Sequence, residues 1–492
     1  MRRIATEVTV IGAGPAGCVF ATRMAQLGFS VCLIERARFP RQRLGESLSP
    51  GVLPMLASMG SADVIEAAGF PRVSAVSTNW DGTEAVREDP RAQGMLVDRA
   101  RFDAALLARA VASGVQVLQP AQLLEHTHTS RGWLVRIEAE TGATELLTGF
   151  MADATGRSAR LGGRRRAVGP RTIAIHAYWT GTHLPDRPRI EAGEREWYWG
   201  VPIPDGSYNT LVFVDGERFR AEPGGSLDDR LRALLARSAL MHEVRGARLR
   251  APARAADATP YVDEDCVSAH HIRLGDAALA IDPLSSSGVQ KAIQSALSGA
   301  IVANTLLRRP EAGEAAQRFY RNSLSDASAR HGAWAASHYA TAAARHRDTF
   351  WSARAVAVDP GARKTATHSA QDTVAGAVAG AVAGAAARWP PITDDMPLQL
   401  SPHSQFEDVP CLGASFVEMR SALRHPGLDG PVAYVGEQEL ARLLRDVRPG
   451  ITSHELARAW AGSVSLGTGL SIARWLTRHG VLERADAVAP RA

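Results

Sequence analysis

The chain has 492 residues, 45% hydrophobic and 22% charged. That is too long for one small domain and apolar enough for a large core, which excludes a disordered or fibrous protein and predicts two or three soluble globular domains. Its net charge of +5 rests almost wholly on arginine, since Lys291 and Lys364 are the only lysines, and such Arg and Ala enrichment reads as genomic composition rather than a nucleic-acid surface. The four cysteines, Cys18, Cys32, Cys266 and Cys411, are widely spaced with no CxxC pattern. No metal site is therefore expected, and reduced thiols point to the cytoplasm.

No secretory signal is expected, because Met1-Arg2-Arg3 leads straight into a strand. The stretch "ATEVTVIG" (5–12), the helix-like "AGCVFATRMAQLG" and the strand "SVCLIE" form a strand-turn-helix-strand unit of about thirty residues, the context in which a glycine pattern carries weight. Gly12, Gly14 and Gly17 allow a tight turn and close approach of a pyrophosphate to the helix N-terminus. Glu35 ends the second strand where it can accept ribose hydroxyls, with Arg36 beside it. This much leaves NAD and FAD open.

Two later segments favour FAD. "VDRARFD" places Asp98 and Arg99 at a helix start, where Arg99 could reach the phosphate or ribose region. "LGDAALAIDPLSSSGVQKAIQSA" ends a strand at Asp276 and sets Pro283, Ser287, Gly288 and Val289 before another helix. A second helix N-terminus suits a reduced flavin, which carries negative charge.

From 171 to 270 the pattern becomes strand-rich, with Asp205-Gly206 as a hairpin turn. This predicts an α/β, Rossmann-like FAD-binding domain (1–170 and 271–357) with an inserted β-rich substrate domain (171–270). An Ala/Gly-rich segment and linker (358–401) and a C-terminal unit (402–492) follow. The run from Thr373, with glycines at 376, 380 and 384, is short for a membrane span, so no membrane association is expected. In the C-terminal unit "EQELARLLRDV", "TSHELARAWAG" and "GLSIARWLTRHG" read as helices and "VLER" as a strand, with Thr452 and Glu455 as a capping box. This suggests a winged-helix-like module. Its 10 basic and 10 acidic residues favour a protein or peptide partner over nucleic acid.

GxGxxG with Glu35, "FPRQRLGES" (39–47), "DRARFD", "DATG" (153–156) and "GDAALAIDPLSSSG" together resemble the single-component flavoprotein monooxygenases and, more closely, the flavin-dependent halogenases. "WYWGVP" (197–202) and "HYATAAARHRDTFW" (338–351) are similar to segments of the halogenases. The resemblance covers residues 5 to 357 and implies FAD as cofactor, with Gly45, Glu46 and Ser47 against the flavin. The electron donor, NAD(P)H or a separate flavin reductase, has no dependable motif.

The halogenases rely on a lysine a short helix after the GES segment. Here Arg72 stands near that place and no lysine precedes Lys291, for which a structural role is expected. Arginine stays charged and forms no amine adduct. Halogenation of a pyrrole, phenol or indole, free or carrier-tethered, thus yields to hydroxylation of an electron-rich ring by O2.

The pocket candidates are His176, Tyr178, Trp179, Trp197 and Trp199, with Arg72; His270-His271 is expected to be structural. The missing lysine and the extra C-terminal module resemble the flavoproteins that build tryptophylquinone cofactors, which implies a peptidyl tryptophan of a small protein subunit as substrate. A flavin-sensing or DNA-binding regulator and a reductase of isoprenoid double bonds are lesser alternatives.

Overall fold

The computed structural model describes residues 2–89, 93–140, 142–222, 224–356 and 393–485. The Ala/Gly-rich run after Thr373 lies outside them. The chain divides into a larger unit (1–304 with 327–360) and a smaller one (305–326 with 361–492).

In the larger unit the buried strand Val31–Ile34 and the half-buried Arg2–Ile11 pair in parallel with each other. Gly142–Asp153 and Gln116–Leu118 extend this parallel array on its two sides. Strands buried on both faces read as continuous apolar runs, which is why "VTVI" and "VCLI" lack alternation. The helix Pro15–Gln26 follows the first strand, and Gly132–Ala139 and Ala121–Thr129 add an antiparallel ribbon. This is the expected Rossmann-like core.

A second sheet runs Arg248–Leu249, Thr172–Thr180, Tyr208–Asp215, Glu196–Pro202, Arg189–Ala192, Ala75–Asn79 and Ala85–Glu88. Asp205 and Gly206, the latter at φ +83°, turn the chain between Glu196–Pro202 and Tyr208–Asp215. The sheet is not confined to residues 171–270. Ala75–Asn79 joins it in parallel beside Arg189–Ala192, a long-range pairing that no local pattern announces.

Alternation gives this sheet two different faces. Ile175, Ala177, Trp179, Tyr198, Tyr208 and Val212 pack against Leu231 and Leu235 of the helix Leu227–Leu235. Trp179 therefore belongs to the core behind the sheet rather than to a pocket. The opposite, inner face carries Ala174, His176 and Tyr178, then Trp197 and Trp199, then Asn209, Leu211 and Phe213. Trp197 stacks on Phe213 at 3.7 Å between centroids, and Trp80 meets Trp197 and Trp351 edge-on.

In the smaller unit, Thr452 and Glu455 form the capping box at Ser453–Ala459. Gly469 brings the helix Leu466–Arg478 against this one, since a Cβ there would lie 3.0 Å from the Ala457 α-carbon. The "EQELARLLRDV" pattern forms a single turn, Leu440–Leu443, continued by a 3-10 turn. Leu482–Arg484 pairs with Leu398–Leu400. The hairpin of Gln405–Leu412 and Val417–Arg424 was not apparent from the sequence. Among the described residues, no helix is long and apolar enough to cross a membrane.

Candidate functional site

The three glycines of the first turn do two different jobs. A Cβ on Gly12 would lie 2.6 Å from the Ala154 carbonyl oxygen, and one on Gly17 would lie 1.8 Å from that of Gly12. These two are required by the chain's own packing. At Gly14 the nearest such atom is the Arg41 guanidinium at 3.9 Å, so the space above it is left for something else. The helix that begins there has no side-chain cap, which leaves its N-terminal amides for an anion. The "DATG" segment is the strap behind this turn. Asp153 accepts from Thr155 N–H and Leu161 N–H, and Ala154 N–H donates to Ile11 O at 2.8 Å.

Glu35 is locked by Ala13 N–H (2.8 Å) and Ala37 N–H (2.9 Å), one on each carboxylate oxygen. Each oxygen keeps a lone pair for a ribose hydroxyl. Arg36 is exposed. Arg41 was not singled out in the sequence, although it lies in "FPRQRLGES". Its guanidinium sits 3.1 Å from Asp103 and 3.6 Å from Glu35, beside the open Gly14. A cation fixed at a glycine cradle suits a pyrophosphate. These residues fit the adenosine diphosphate half of FAD.

Arg99 behaves differently from expectation. It is 8% exposed, pairs with Asp103 at 3.0 Å and donates to the Leu44 carbonyl. Its charge is spent beneath the GES segment rather than reaching outward. Gly45, at φ +102°, has no room for a Cβ, which would meet Arg99 Nη1 at 2.9 Å and Val289 at 3.7 Å. The GES segment thus lies against the helix Gly288–Arg308, whose Gln290 also bonds Ser49. Ser47 is half-buried, and Gly288 is open, with nothing within 4 Å of a Cβ there. Pro283 opens a 3-10 turn capped by Asp282, and Ser287 N–H makes a long 3.4 Å bond to Ser285.

Lys291 is 4% exposed and donates to Asp276 Oδ1 at 2.7 Å and to the Leu279 carbonyl. Burial raises the Asp276 carboxyl, but Lys291 and then Arg157 outweigh it and hold the group below the ordinary range. His271 is tied to Ser268 at 2.7 Å and meets the Trp133 ring, which in turn touches His128, itself beside His270.

Glu46 is the side chain that joins the two halves of this site. It is 3% exposed and turned toward the inner sheet face, where Oε1 accepts from the Tyr178 hydroxyl and from Asn209 Nδ2 at 3.2 Å. Its Oε2 accepts from Gly45 N–H at 2.9 Å. Burial raises its carboxyl above the usual range, against the lowering influence of Tyr178 and Arg99. His176 is driven down to about 4 by burial and then by Arg254, and among the described residues its buried Nδ1 has no partner; neither has Asn209 Oδ1. Trp199 is half-buried beside Tyr178, Leu96 and Val201, whereas Trp197 is buried at 1%. Arg72 lies exposed on the short strand Arg72–Val73, paired with Gly94–Leu96.

A cavity lined by Pro260, Asp282, His331, Tyr339 and Arg354 opens beside this aromatic cluster. The Tyr339 hydroxyl donates to Asp282 at 3.0 Å, and burial pushes His331 down to about 4, leaving an uncharged imidazole on the wall.

Comparisons with known proteins agree with this geometry. Residues 5–165 match the FAD binding domain family and residues 88–375 match the tryptophan halogenase family. The tryptophan 2-halogenase of Chondromyces crocatus is 29% identical, over 72% of this chain and 71% of its own length. A 1H-pyrrole-2-carbonyl-[peptidyl-carrier protein] chlorinase of Pseudomonas fluorescens is 26% identical, over 59% and 74%. Among solved structures, the peptidyl tryptophan dihydroxylase QhpG, essential for tryptophylquinone cofactor biogenesis, superposes with a TM-score of 0.71. It is 26% identical and covers 97% of this chain and 99% of its own.

Proposed function

The chain belongs to the tryptophan halogenase family and is an FAD-dependent protein, and from that premise we propose that it hydroxylates an electron-rich aromatic ring, a tryptophan within a protein substrate. Lys291 carries this reading. It is the sole lysine before Lys364, and its ammonium is buried against Asp276 and the Leu279 carbonyl. It offers no free amine to a hypohalous acid, and Arg72 cannot form an amine adduct. The full-length likeness to a peptidyl tryptophan dihydroxylase, through the C-terminal unit, supports a polypeptide substrate.

Reduced FAD supplies the activated oxygen when bound. The chain's own part is to seat the pyrophosphate at Gly14, orient the ribose at Glu35, and present an aromatic wall that excludes water. Trp199 and Tyr178 on the inner face supply that wall. The second reading, halogenation, is favoured by the curated relatives, which are named as halogenases.

One mass measurement separates the two. The protein is given reduced FAD, O2, bromide and a tryptophan-containing polypeptide, with free tryptophan in parallel. Oxygen addition to the polypeptide without bromine is expected. Bromine incorporation would overturn the proposal, and its loss in Arg72→Ala would hand the lysine's role to Arg72.

A further inference from the structure

The inner face holds a buried carboxyl group that the proposed function has not yet used. Glu46 is 3% exposed, and its Oε1 accepts from the hydroxyl of the half-buried Tyr178 on the inner sheet face. We infer that Tyr178 and Glu46 are the route by which the substrate ring sheds its proton, Tyr178 touching the substrate and Glu46 acting through it. This rests on the reading of the site as one for aromatic substitution.

The step balances without a further reagent. Once oxygen has bonded to a ring carbon, that carbon still holds its hydrogen. The C–H bond breaks, its electron pair restores aromaticity, and the proton passes to Tyr178 Oη. Tyr178's own hydroxyl proton moves to Glu46 Oε1, leaving a neutral tyrosine and a neutral carboxylic acid, which later releases the proton to water.

Three observations support the assignment. Two buried polar atoms on the same face, His176 Nδ1 and Asn209 Oδ1, have no partner among the described residues, which leaves them for a water or a polar group of an occupant. His176 itself is a poor base near neutrality, since burial and then Arg254 push its imidazole down to about 4. The groups around Glu46 also suit proton uptake. Gly45 N–H and Asn209 donate to it, Arg99 lies beneath it tied to Asp103, and Asp98 acts on Tyr178. Burial outweighs the hydrogen bonds and Arg99 and leaves the carboxyl raised above the ordinary range, the direction that favours proton uptake.

The test uses the full-length, FAD-loaded protein with Tyr178→Phe and Glu46→Gln. Glutamine can keep the bonds from Tyr178 and Asn209 on its single oxygen, loses the one from Gly45 N–H, and cannot take the proton. Product formation is expected to fall about 10²–10⁴-fold in either variant, with FAD content retained and a primary isotope effect from ring-deuterated substrate that the wild type lacks. The wild-type rate should fall at low pH as Glu46 is protonated, and this limb should vanish in Glu46→Gln. Infrared spectra should show a carboxylic acid band growing as pH is lowered, absent in Glu46→Gln and shifted in Tyr178→Phe.

Unchanged turnover in Tyr178→Phe, or loss of FAD from it, would overturn the proposal by making the pair structural or idle. If the wild type inserts bromine instead of oxygen, the hydroxylation reading fails while the ring must still lose its proton. The same isotope measurement on the brominated product then decides the route.

Discussion

The nucleotide end of the site and the inner sheet face are built in opposite ways. The glycine turn, Glu35 and Arg41 come from 30 consecutive residues, from Gly12 to Arg41, and are closed by close backbone packing at the glycines and by Ala13 N–H donating to the Glu35 carboxylate. The inner face gathers His176, Tyr178, Trp199 and Asn209 from three strands and meets Glu46 from a distant loop. A motif fixed by backbone geometry tolerates almost no change at its closed positions. A face assembled from separate strands can change its chemistry while the sheet stays intact.

The largest effect that could break this contrast lies within the glycine turn. Gly17→Ala places a Cβ 1.8 Å from the Gly12 carbonyl oxygen, so strand and helix must part; a loss of more than about 4 kcal/mol and of FAD binding is expected. Gly14→Val meets only the Arg41 side chain at 3.9 Å. It should unfold at the wild-type temperature yet bind no FAD. Equal thermal stability and equal FAD content in both variants would show that the two glycines do the same job.

On the inner face the sharper pair is Trp197 and Trp199, both expected from the sequence to flank a pocket. Trp197 is 1% exposed and stacked on Phe213, so Trp197→Ala should destabilise by about 3–5 kcal/mol in denaturant titrations. Trp199→Ala, at a half-buried position, should cost less stability and weaken substrate turnover instead. The reverse order would move the pocket to the other tryptophan.

Arg41→Ala tests the residue that sequence reasoning passed over. Its guanidinium is fixed by Asp103 and Glu35 beside Gly14, and FAD affinity measured by fluorescence quenching should fall about 10- to 100-fold, the worth of one charge-assisted contact. Unchanged affinity would leave Arg41 as a clasp between helix and loop.

These cases show what was legible and why. The dinucleotide unit could be read because its signals, glycine spacing and a strand-ending acid, are local. Arg41 lies inside FPRQRLGES, but its role depends on Asp103, 62 residues away. Asn209 gave no signal at all, since its meaning arises only when its strand brings it to Glu46, 163 residues earlier. Ala75–Asn79 enters the second sheet for the same non-local reason. Trp179 shows the limit of composition: next to Tyr178 in sequence, it points to the other face because the strand period is two.

The smallest predicted effect concerns His176, whose imidazole is driven by burial, then by Arg254, from about 6.5 to about 4. The folded protein resists protonation there while the unfolded chain does not. The stability this gives is fully present above about 6.5 and is lost as pH falls toward about 4, where the folded state also takes the proton. Because the ring is only partly buried, solvent screening should limit the loss to about 1–2 kcal/mol. His176→Phe removes the titration and fills a similar space, so its thermal midpoint should decline less steeply than the wild type's across that interval. Parallel curves would mean that His176 charges freely in the folded protein, and its unpartnered Nδ1 would then be open to water rather than held for a donor on the substrate.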